Sequence, residues 1–191
     1  MSLAPEIKAF LEAGAAAGLP QVWEAPVEVI RKNTQARPAL AGPVEAVNEM
    51  INQYIPGPTA DLPIRIYRPT VATNAPAIVY FHGGGWVLNF LDIYDASLAR
   101  LANQSGATII SVNYQKAPEH PFPIPFDDCY ATLLWVIANA GNLRIDKNRI
   151  GVAGDSAGAN LASGVAIKAR DNSVALAFQV LIYPCNDRNF D

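Results

Sequence analysis

The clearest chemical signature in this sequence is Gly154-Asp155-Ser156-Ala157-Gly158, a serine with a glycine two residues away on either side. The apolar run before it predicts a strand, and the residues after it have helical spacing. A serine at such a strand-to-helix turn presents its hydroxyl at the carboxyl edge of a sheet, and the glycines let the chain reverse without a Cβ clash. The pattern therefore predicts Ser156 as a nucleophile.

A second pattern lies upstream, where His82-Gly83-Gly84-Gly85-Trp86 follows an apolar predicted strand. Consecutive glycines leave backbone N–H groups open to an anion, such as the oxygen that becomes negative when a serine attacks an ester. We expect Gly83 and Gly84 to donate to that oxygen. Ala157 would add a third N–H at the first turn of a helix, where unpaired donors and the helix dipole favour an anion.

Two other interpretations of this motif are weaker, one for its glycines and one for its histidine. A phosphate-binding loop would require G-x-x-x-x-G-K-[ST] or a helix-opening G-x-G-x-x-G, and neither pattern occurs in the sequence. His82 could be taken for a catalytic base. Because it sits at the end of a strand directly before the glycines, we expect it to be structural, as we expect of Gly85.

The rest of the chain predicts an α/β architecture, because apolar runs alternate with helical stretches as in βαβ units and parallel sheets. The predicted strands of this series are 77–81, 107–113, 149–154 and 177–183, and the predicted helices are 91–104, 125–140 and 157–170. Ahead of them, 44–54 and 63–67 predict a hairpin-like start, and 5–17 and 22–32 predict helices. We therefore expect an N-terminal helical segment at 1–42 and a core at 43–191.

Composition excludes several classes of function. The net charge is −3 and the sequence contains no run of basic residues, so we expect no nucleic-acid partner. Cys129 and Cys185 are too few and too far apart for a disulfide framework or a zinc site. No apolar run approaches the ~20 residues of a membrane span, and no secretory signal is visible. We expect a cytoplasmic protein.

The sequence resembles the hormone-sensitive-lipase family of α/β-hydrolase esterases, which is marked by HGGGW-type and GDSAG-type motifs. Residues 112–123 (VNYQKAPEHPFP) are similar to the family's segment between those motifs, and Asp127-Asp128 and 181–184 (LIYP) also match. The resemblance implies an α/β-hydrolase fold with a mostly parallel sheet flanked by helices. It also implies Ser156 as the nucleophile, Gly83, Gly84 and Ala157 as oxyanion donors, and the N-terminal helices as part of a cap over the substrate.

The sequence departs from the family pattern at four positions. Asn113, Gln115 and Lys116 replace the usual Asp, Arg and Leu, and Ala159 stands where a glycine is common. None of these departures removes a catalytic group, but we expect them to alter local hydrogen bonding and helix packing.

No histidine follows Ser156, although the triad of this fold runs in the order Ser, Asp or Glu, His. The two histidines, His82 and His120, lie upstream, and the carboxylates downstream of Ser156 are Asp171, Asp187 and Asp191. Asp187 could act as the acid in principle. We expect instead that the fold is incomplete after about the sixth strand, with a second cap segment beginning near 189–191. The triad acid and histidine would then belong to a complementary C-terminal segment or a second chain.

These expectations lead to a carboxylesterase-type hydrolase of small hydrophobic esters with short to medium acyl chains. The 191 residues alone should be nearly inactive, since removing the histidine of a serine triad costs on the order of 10⁶ in kcat. No metal or organic cofactor is required by this chemistry. Two alternatives remain open: a non-catalytic ligand-binding protein on a hydrolase fold, and a peptidase or amidase on the same fold.

Overall fold

The computed structural model describes residues 3–18, 24–35, 38, 41–69 and 74–187. The helices in these ranges are α1 (Pro5–Ala16), α2 (Val27–Thr34), α3 (Asp95–Ser105), α4 (Ile124–Ala138) and α5 (Ala157–Asp171), with a 3₁₀ turn at Leu91–Tyr94. The strands are β1 (Glu49–Ile55), β2 (Leu62–Arg68), β3 (Ala75–Phe81), β4 (Thr108–Val112), β5 (Ile145–Asp155) and β6 (Gln179–Ile182).

The six strands form one sheet in the order β1-β2-β4-β3-β5-β6. β1 and β2 form the expected antiparallel hairpin, with Glu49 opposite Arg68 and Ile55 opposite Leu62. β2 is also antiparallel to β4, whereas β4, β3, β5 and β6 run parallel to one another. The fold is therefore the α/β-hydrolase fold that the sequence predicts, with a mostly parallel sheet.

The central strand β3 is covered on both faces, because alternate residues of a strand point to opposite sides. Val79 and Phe81 face a core built with α4 and α5, and both are fully buried. Ile78 and Tyr80 face a smaller core built with α3. This two-sided burial explains the almost unbroken apolar run of the strand.

Several predicted boundaries shift by a few residues. The first strand begins at Glu49 rather than at residue 44, and the predicted helix at 91–104 divides into the 3₁₀ turn and α3. The last strand is shorter than predicted, and Val180 and Ile182 in it are 45% and 40% exposed. Val22 and Trp23, which belong to the second predicted helix, and the segment 189–191 lie outside the described residues.

The order of the strands reverses at β3, which lies between β4 and β5 in the middle of the sheet. From β3 the chain passes through α3 to β4 on one side, and then returns through α4 to β5 on the other side of β3. Ligands of open α/β sheets bind outside the carboxyl ends of strands at such a reversal. Here the carboxyl ends of β3 and β5 lead into the two glycine motifs, and Phe81 of β3 is paired with Gly154 of β5.

Candidate active site

Ser156 occupies a sharp turn between β5 and α5, with φ 52° and ψ −119°. A non-glycine residue with this backbone is strained, at a cost of about 1–3 kcal/mol. Hydrogen bonds fix the turn on both sides: the Ser156 N–H donates to the Ile182 carbonyl at 2.9 Å, and the Ser156 carbonyl accepts from the Asn160 N–H at 3.1 Å. Within the described residues the hydroxyl makes no hydrogen bond, so it is free to react.

The two flanking glycines of the turn are required by close backbone contacts. A Cβ on Gly158 would overlap the Phe81 carbonyl oxygen and would lie 2.6 Å from the His82 carbonyl oxygen. A Cβ on Gly154 would lie 2.6 Å from the Phe81 oxygen. The first turn of α5 therefore packs directly on the end of β3, which brings Ser156 beside the second glycine motif.

That second motif forms a tight loop, in which Gly84 has φ 121° and Gly85 has φ 62°. The Gly84 carbonyl accepts from the N–H groups of Val87 and Leu88, at 3.1 and 2.8 Å. The Gly83 carbonyl accepts from the Asn89 side-chain amide at 3.0 Å and lies 2.8 Å from His82 Nδ1. In a trans peptide the N–H points opposite to the C=O. Holding these two carbonyls therefore turns the N–H groups of Gly84 and Gly85 away from the loop's own contacts.

The expectation that Gly83 donates to an oxyanion is corrected by this geometry. Its N–H donates to Asp155 Oδ1 at 2.9 Å and lies 3.0 Å from the Tyr94 hydroxyl. By contrast, the N–H groups of Gly84, Gly85 and Ala157 donate to no group in the described part of the chain. Gly83 locks the loop to the serine turn, and Gly85 takes its place among the candidate donors.

Asp155 is the acceptor that holds this arrangement together, although it is only 8% exposed. Besides the Gly83 N–H, its carboxylate accepts from the hydroxyls of Tyr80 at 2.9 Å, Tyr94 at 3.0 Å and Tyr183 at 3.4 Å. Burial, and then the charge of Asp155, raise the pKa of Tyr80 and of Tyr94 above the usual range. Both phenols therefore remain protonated donors. The sequence assigns this role to none of the three tyrosines, because Tyr80 lies in β3, Tyr94 in the 3₁₀ turn and Tyr183 after β6, and only the fold brings them to Asp155.

His82 lies within the core and has no exposed surface. Its ring stacks on Tyr114 at a centroid distance of 4.4 Å, and the Tyr114 hydroxyl donates to the His82 carbonyl at 2.7 Å. Burial, reinforced by the charge of Lys116, lowers the pKa of His82 to about 3. The neutral ring donates to the Gly83 carbonyl, which is a bracing contact of the loop rather than a contact to Ser156.

The departures from the family pattern form their own hydrogen bonds. Asn113 Oδ1 accepts from Lys116 Nζ at 2.6 Å, and Gln115 Nε2 donates to Thr59 at 2.7 Å and to Asp128 at 3.2 Å. Burial, and then the nearby Arg31, lower the pKa of Lys116 to about 8. Ala159 is fully buried. The three polar replacements, Asn113, Gln115 and Lys116, therefore all take part in side-chain hydrogen bonds.

The described residues bring neither histidine into contact with Ser156. Asp171 ends α5, and with a rise of 1.5 Å per residue it lies roughly 20 Å along the helix from the serine. Asp187 lies beyond β6, and Asp191 is outside the described residues. The described residues contain no cluster of three or more His, Cys, Asp or Glu side chains that could hold a metal ion. None of the helices in these ranges is both long and apolar enough to cross a bilayer.

A cavity of about 640 Å³ opens beside the turn. It extends from Gly85 and from Asn160, one helical turn after Ser156, between α4 and α5. Its walls include Trp86, Phe122, Phe126, Leu161 and Ile167. The lining is mainly apolar, with polar groups near the serine end, so the cavity suits a small hydrophobic group.

The substitution Gly158→Ala should lower the free energy of unfolding by at least about 3 kcal/mol, because the new Cβ would overlap backbone that cannot move aside. Urea denaturation followed by circular dichroism measures the change. Gly141→Ala is the matched control, since nothing lies within 4 Å of a Cβ at that position, and it should change stability by less than about 0.5 kcal/mol. Equal effects of the two substitutions would contradict the close contact.

The substitution Tyr94→Phe should destabilise the protein by about 1–2 kcal/mol, because it removes the hydrogen bond from the Tyr94 hydroxyl to the buried carboxylate of Asp155. Tyr54→Phe, at a side chain that is 72% exposed, should have an effect below about 0.5 kcal/mol. Denaturation curves of both variants provide the measurement, and a Tyr94→Phe variant as stable as the parent would exclude a structural role for this hydroxyl.

The chain is similar to several known proteins. Residues 78–191 match a family described by the alpha/beta hydrolase fold. The chain is 38% identical over 184 residues to the arylesterase of Saccharolobus solfataricus, covering 96% of this chain and 60% of that protein. It is 35% identical to the ethyl acetate hydrolase of Pseudomonas putida, covering 98% of this chain and 62% of the relative.

Solved structures give the same result. A structure of an arylesterase superposes with a TM-score of 0.90 at 38% identity, covering 96% of this chain and 60% of that one. A hyperthermophilic esterase from Pyrobaculum calidifontis superposes with a TM-score of 0.89 at 39% identity, covering 97% and 60%. The chain thus spans about 60% of the length of these relatives. From its matched family, its fold and its relatives, the chain belongs to the α/β-hydrolase fold family, among the esterases that resemble hormone-sensitive lipase.

Proposed function

We propose that Ser156 is the nucleophile of a carboxylic ester hydrolase. The observation that carries this proposal is the strained backbone at Ser156, held next to N–H groups of Gly84, Gly85 and Ala157 that have no other partner in the described residues. Strain of this kind persists only where the surrounding structure enforces it, and it clusters at reactive sites. A ligand-binding protein would gain nothing from a strained serine with a free hydroxyl.

The reaction proceeds by acyl transfer. Ser156 Oγ attacks the ester carbonyl carbon and gives its proton to a general base, while the carbonyl oxygen becomes an oxyanion. The three N–H groups donate to that oxyanion, and each such donor is typically worth about 3–4 kcal/mol in the transition state. The base returns the proton to the leaving alcohol, and water then releases the acid from the acyl-serine.

The general base in this proposal is a histidine outside the 191 residues, oriented by an acid that is also outside them. His82 is unsuitable, because its buried ring braces the glycine loop and its pKa of about 3 leaves it a poor proton acceptor at neutral pH. The described residues give His120 no contact with Ser156. A complementary segment or second chain that supplies the acid and the histidine is therefore part of the proposal.

The proposed substrates are small hydrophobic esters with short to medium acyl chains. The apolar cavity beside Gly85 supports this class, as do the names of relatives that act on aryl esters and ethyl acetate. The N-terminal helices act as part of a cap in this proposal. The two cysteines are unpaired, which supports a reducing, cytoplasmic setting.

The test is hydrolysis of p-nitrophenyl butyrate by two polypeptides: the 191 residues alone, and an extended form that carries a C-terminal segment with the acid and histidine. Each is assayed beside its Ser156→Ala variant. We expect turnover by the extended form that Ser156→Ala removes, and a rate lower on the order of 10⁶-fold for the 191 residues alone.

Three other outcomes would contradict the proposal. Comparable Ser156-dependent turnover by the shorter polypeptide would place the base within this chain. Ester binding by the extended form without turnover would favour the ligand-binding alternative. Faster cleavage of a p-nitroanilide than of the matching ester would favour an amidase.

The cavity makes a separate prediction about acyl-chain length. In the extended form, Ile167→Trp should fill the cavity and lower kcat/KM for p-nitrophenyl hexanoate about tenfold, with less than about a twofold change for the acetate, because one or two methylenes of lost space cost this much. Leu134→Trp is the matched control, since it is also a partly exposed apolar residue on a neighbouring helix but does not line the cavity. An equal loss for both esters would place the acyl chain elsewhere.

A further inference from the structure

Arg31 connects the N-terminal helical segment to both loops that border the site. From α2 its Nε donates to the Val87 carbonyl at 2.9 Å, and its Nη2 donates to the Ala117 carbonyl at 2.8 Å. The outer edge of the same guanidinium forms a two-pronged ion pair with Glu119, at 2.7 and 2.8 Å. One planar group therefore holds three points of the core.

The contact with Val87 reaches the glycine loop through one further hydrogen bond. The Val87 N–H donates to the Gly84 carbonyl, which belongs to the same planar peptide as the Gly85 N–H. A shift of Val87 would therefore rotate the peptide that presents the Gly85 N–H. Arg31 is positioned to prevent that shift.

The contact with Ala117 supports the same loop from its other side. The Ala117 N–H donates to the Trp86 carbonyl at 3.0 Å, while the Ala117 carbonyl accepts from Arg31. Both Trp86 and Ala117 line the apolar cavity. The Arg31 guanidinium therefore links Val87 to Ala117, which is itself hydrogen-bonded to Trp86, the residue before Val87.

The ion pair with Glu119 does not by itself explain this placement. The Glu119 side chain is 54% exposed, and exposed pairs contribute little to stability. Hydrogen bonding to Arg31 lowers the pKa of Glu119 to about 2, so the carboxylate stays charged at ordinary pH and keeps the guanidinium oriented. The hydrogen bonds to the two backbone carbonyls of Val87 and Ala117 are the contacts that bear on the site.

We propose that Arg31 is a positioning residue for ester hydrolysis, which fixes the glycine loop so that the Gly85 N–H meets the developing oxyanion. The N-terminal segment then sets the geometry of the site in addition to covering it. This inference rests on the proposed function. Arg31 touches neither the reacting atoms nor Ser156, and it acts through Val87.

The test compares four variants in the extended form of the protein. Arg31→Met removes every N–H at a similar side-chain length, and Arg31→Lys keeps the charge but loses the fork that reaches two carbonyls. Glu119→Gln removes the ion pair and leaves the carbonyl contacts. Arg100→Met is the matched control, because Arg100 lies on α3 and pairs with the exposed Glu45, away from the site.

Two readouts separate positioning from general stability. Hydrogen–deuterium exchange should accelerate about tenfold across 83–90 in Arg31→Met, with no change across β3, because only the loop loses its restraint. The kcat for p-nitrophenyl butyrate should fall by about 10–100-fold with KM within about threefold, since a displaced donor weakens the transition state rather than substrate binding. Arg31→Lys should show most of this loss, Glu119→Gln less than a tenth of it, and Arg100→Met none.

The results that would overturn the inference are distinct from failure of the proposed function. Unchanged exchange across 83–90 in Arg31→Met overturns it whether or not the protein hydrolyses esters, as does equal acceleration across β3. A loosened loop with unchanged kcat also overturns it. If the parent protein has no Ser156-dependent turnover, the proposed function fails and this inference fails with it, even where the exchange data confirm that Arg31 restrains residues 83–90.

Discussion

The structure depends on one close backbone contact, where Gly158 at the start of α5 packs on the Phe81 carbonyl at the end of β3. Only a helix without a side chain at that position can approach so closely. The pairing of β3 with β5 places the two motifs side by side, and the glycine contact lets α5 begin directly against the end of β3. The strain at Ser156 follows from it, because the chain must leave β5 and enter α5 within a single residue.

Once the strand ends are fixed, the glycine loop is held mainly through its carbonyl groups. His82 and Asn89 bind the Gly83 carbonyl, the turn itself binds the Gly84 carbonyl, and Arg31 binds the Val87 carbonyl. Since each peptide is planar, holding a C=O also directs the next N–H without using it. In the proposed mechanism the N–H groups of Gly84 and Gly85 are thereby kept for the oxyanion. This arrangement has the character of a preorganised electrostatic site, in which the donors are in place before charge develops.

Much of the fold and part of the site could be predicted from the sequence, because they depend on local pattern. The alternation of apolar runs and helical stretches predicts the parallel strands β3 to β6, and the glycines around Ser156 predict the turn. The direction of a single backbone N–H, by contrast, cannot be predicted from local sequence, because it depends on contacts with distant residues. Gly83 was predicted as an oxyanion donor, yet its N–H is taken by Asp155, which is 72 residues away in sequence. Tyr94 and Arg31 carry no motif, so only tertiary contacts identify them.

The carboxylate of Asp155 explains why Gly83 cannot serve the oxyanion as well. A second negative charge beside the same N–H would compete for one proton and would be repelled by the buried carboxylate, so the oxyanion must use the next peptides along the loop. Tyr80 and Tyr94 reduce that repulsion, because their hydroxyls donate to the carboxylate and spread its charge. In the proposed mechanism the buried acid of the motif therefore has two effects: it ties the loop to the turn at Ser156, and it leaves anion binding to Gly84 and Gly85 instead of Gly83.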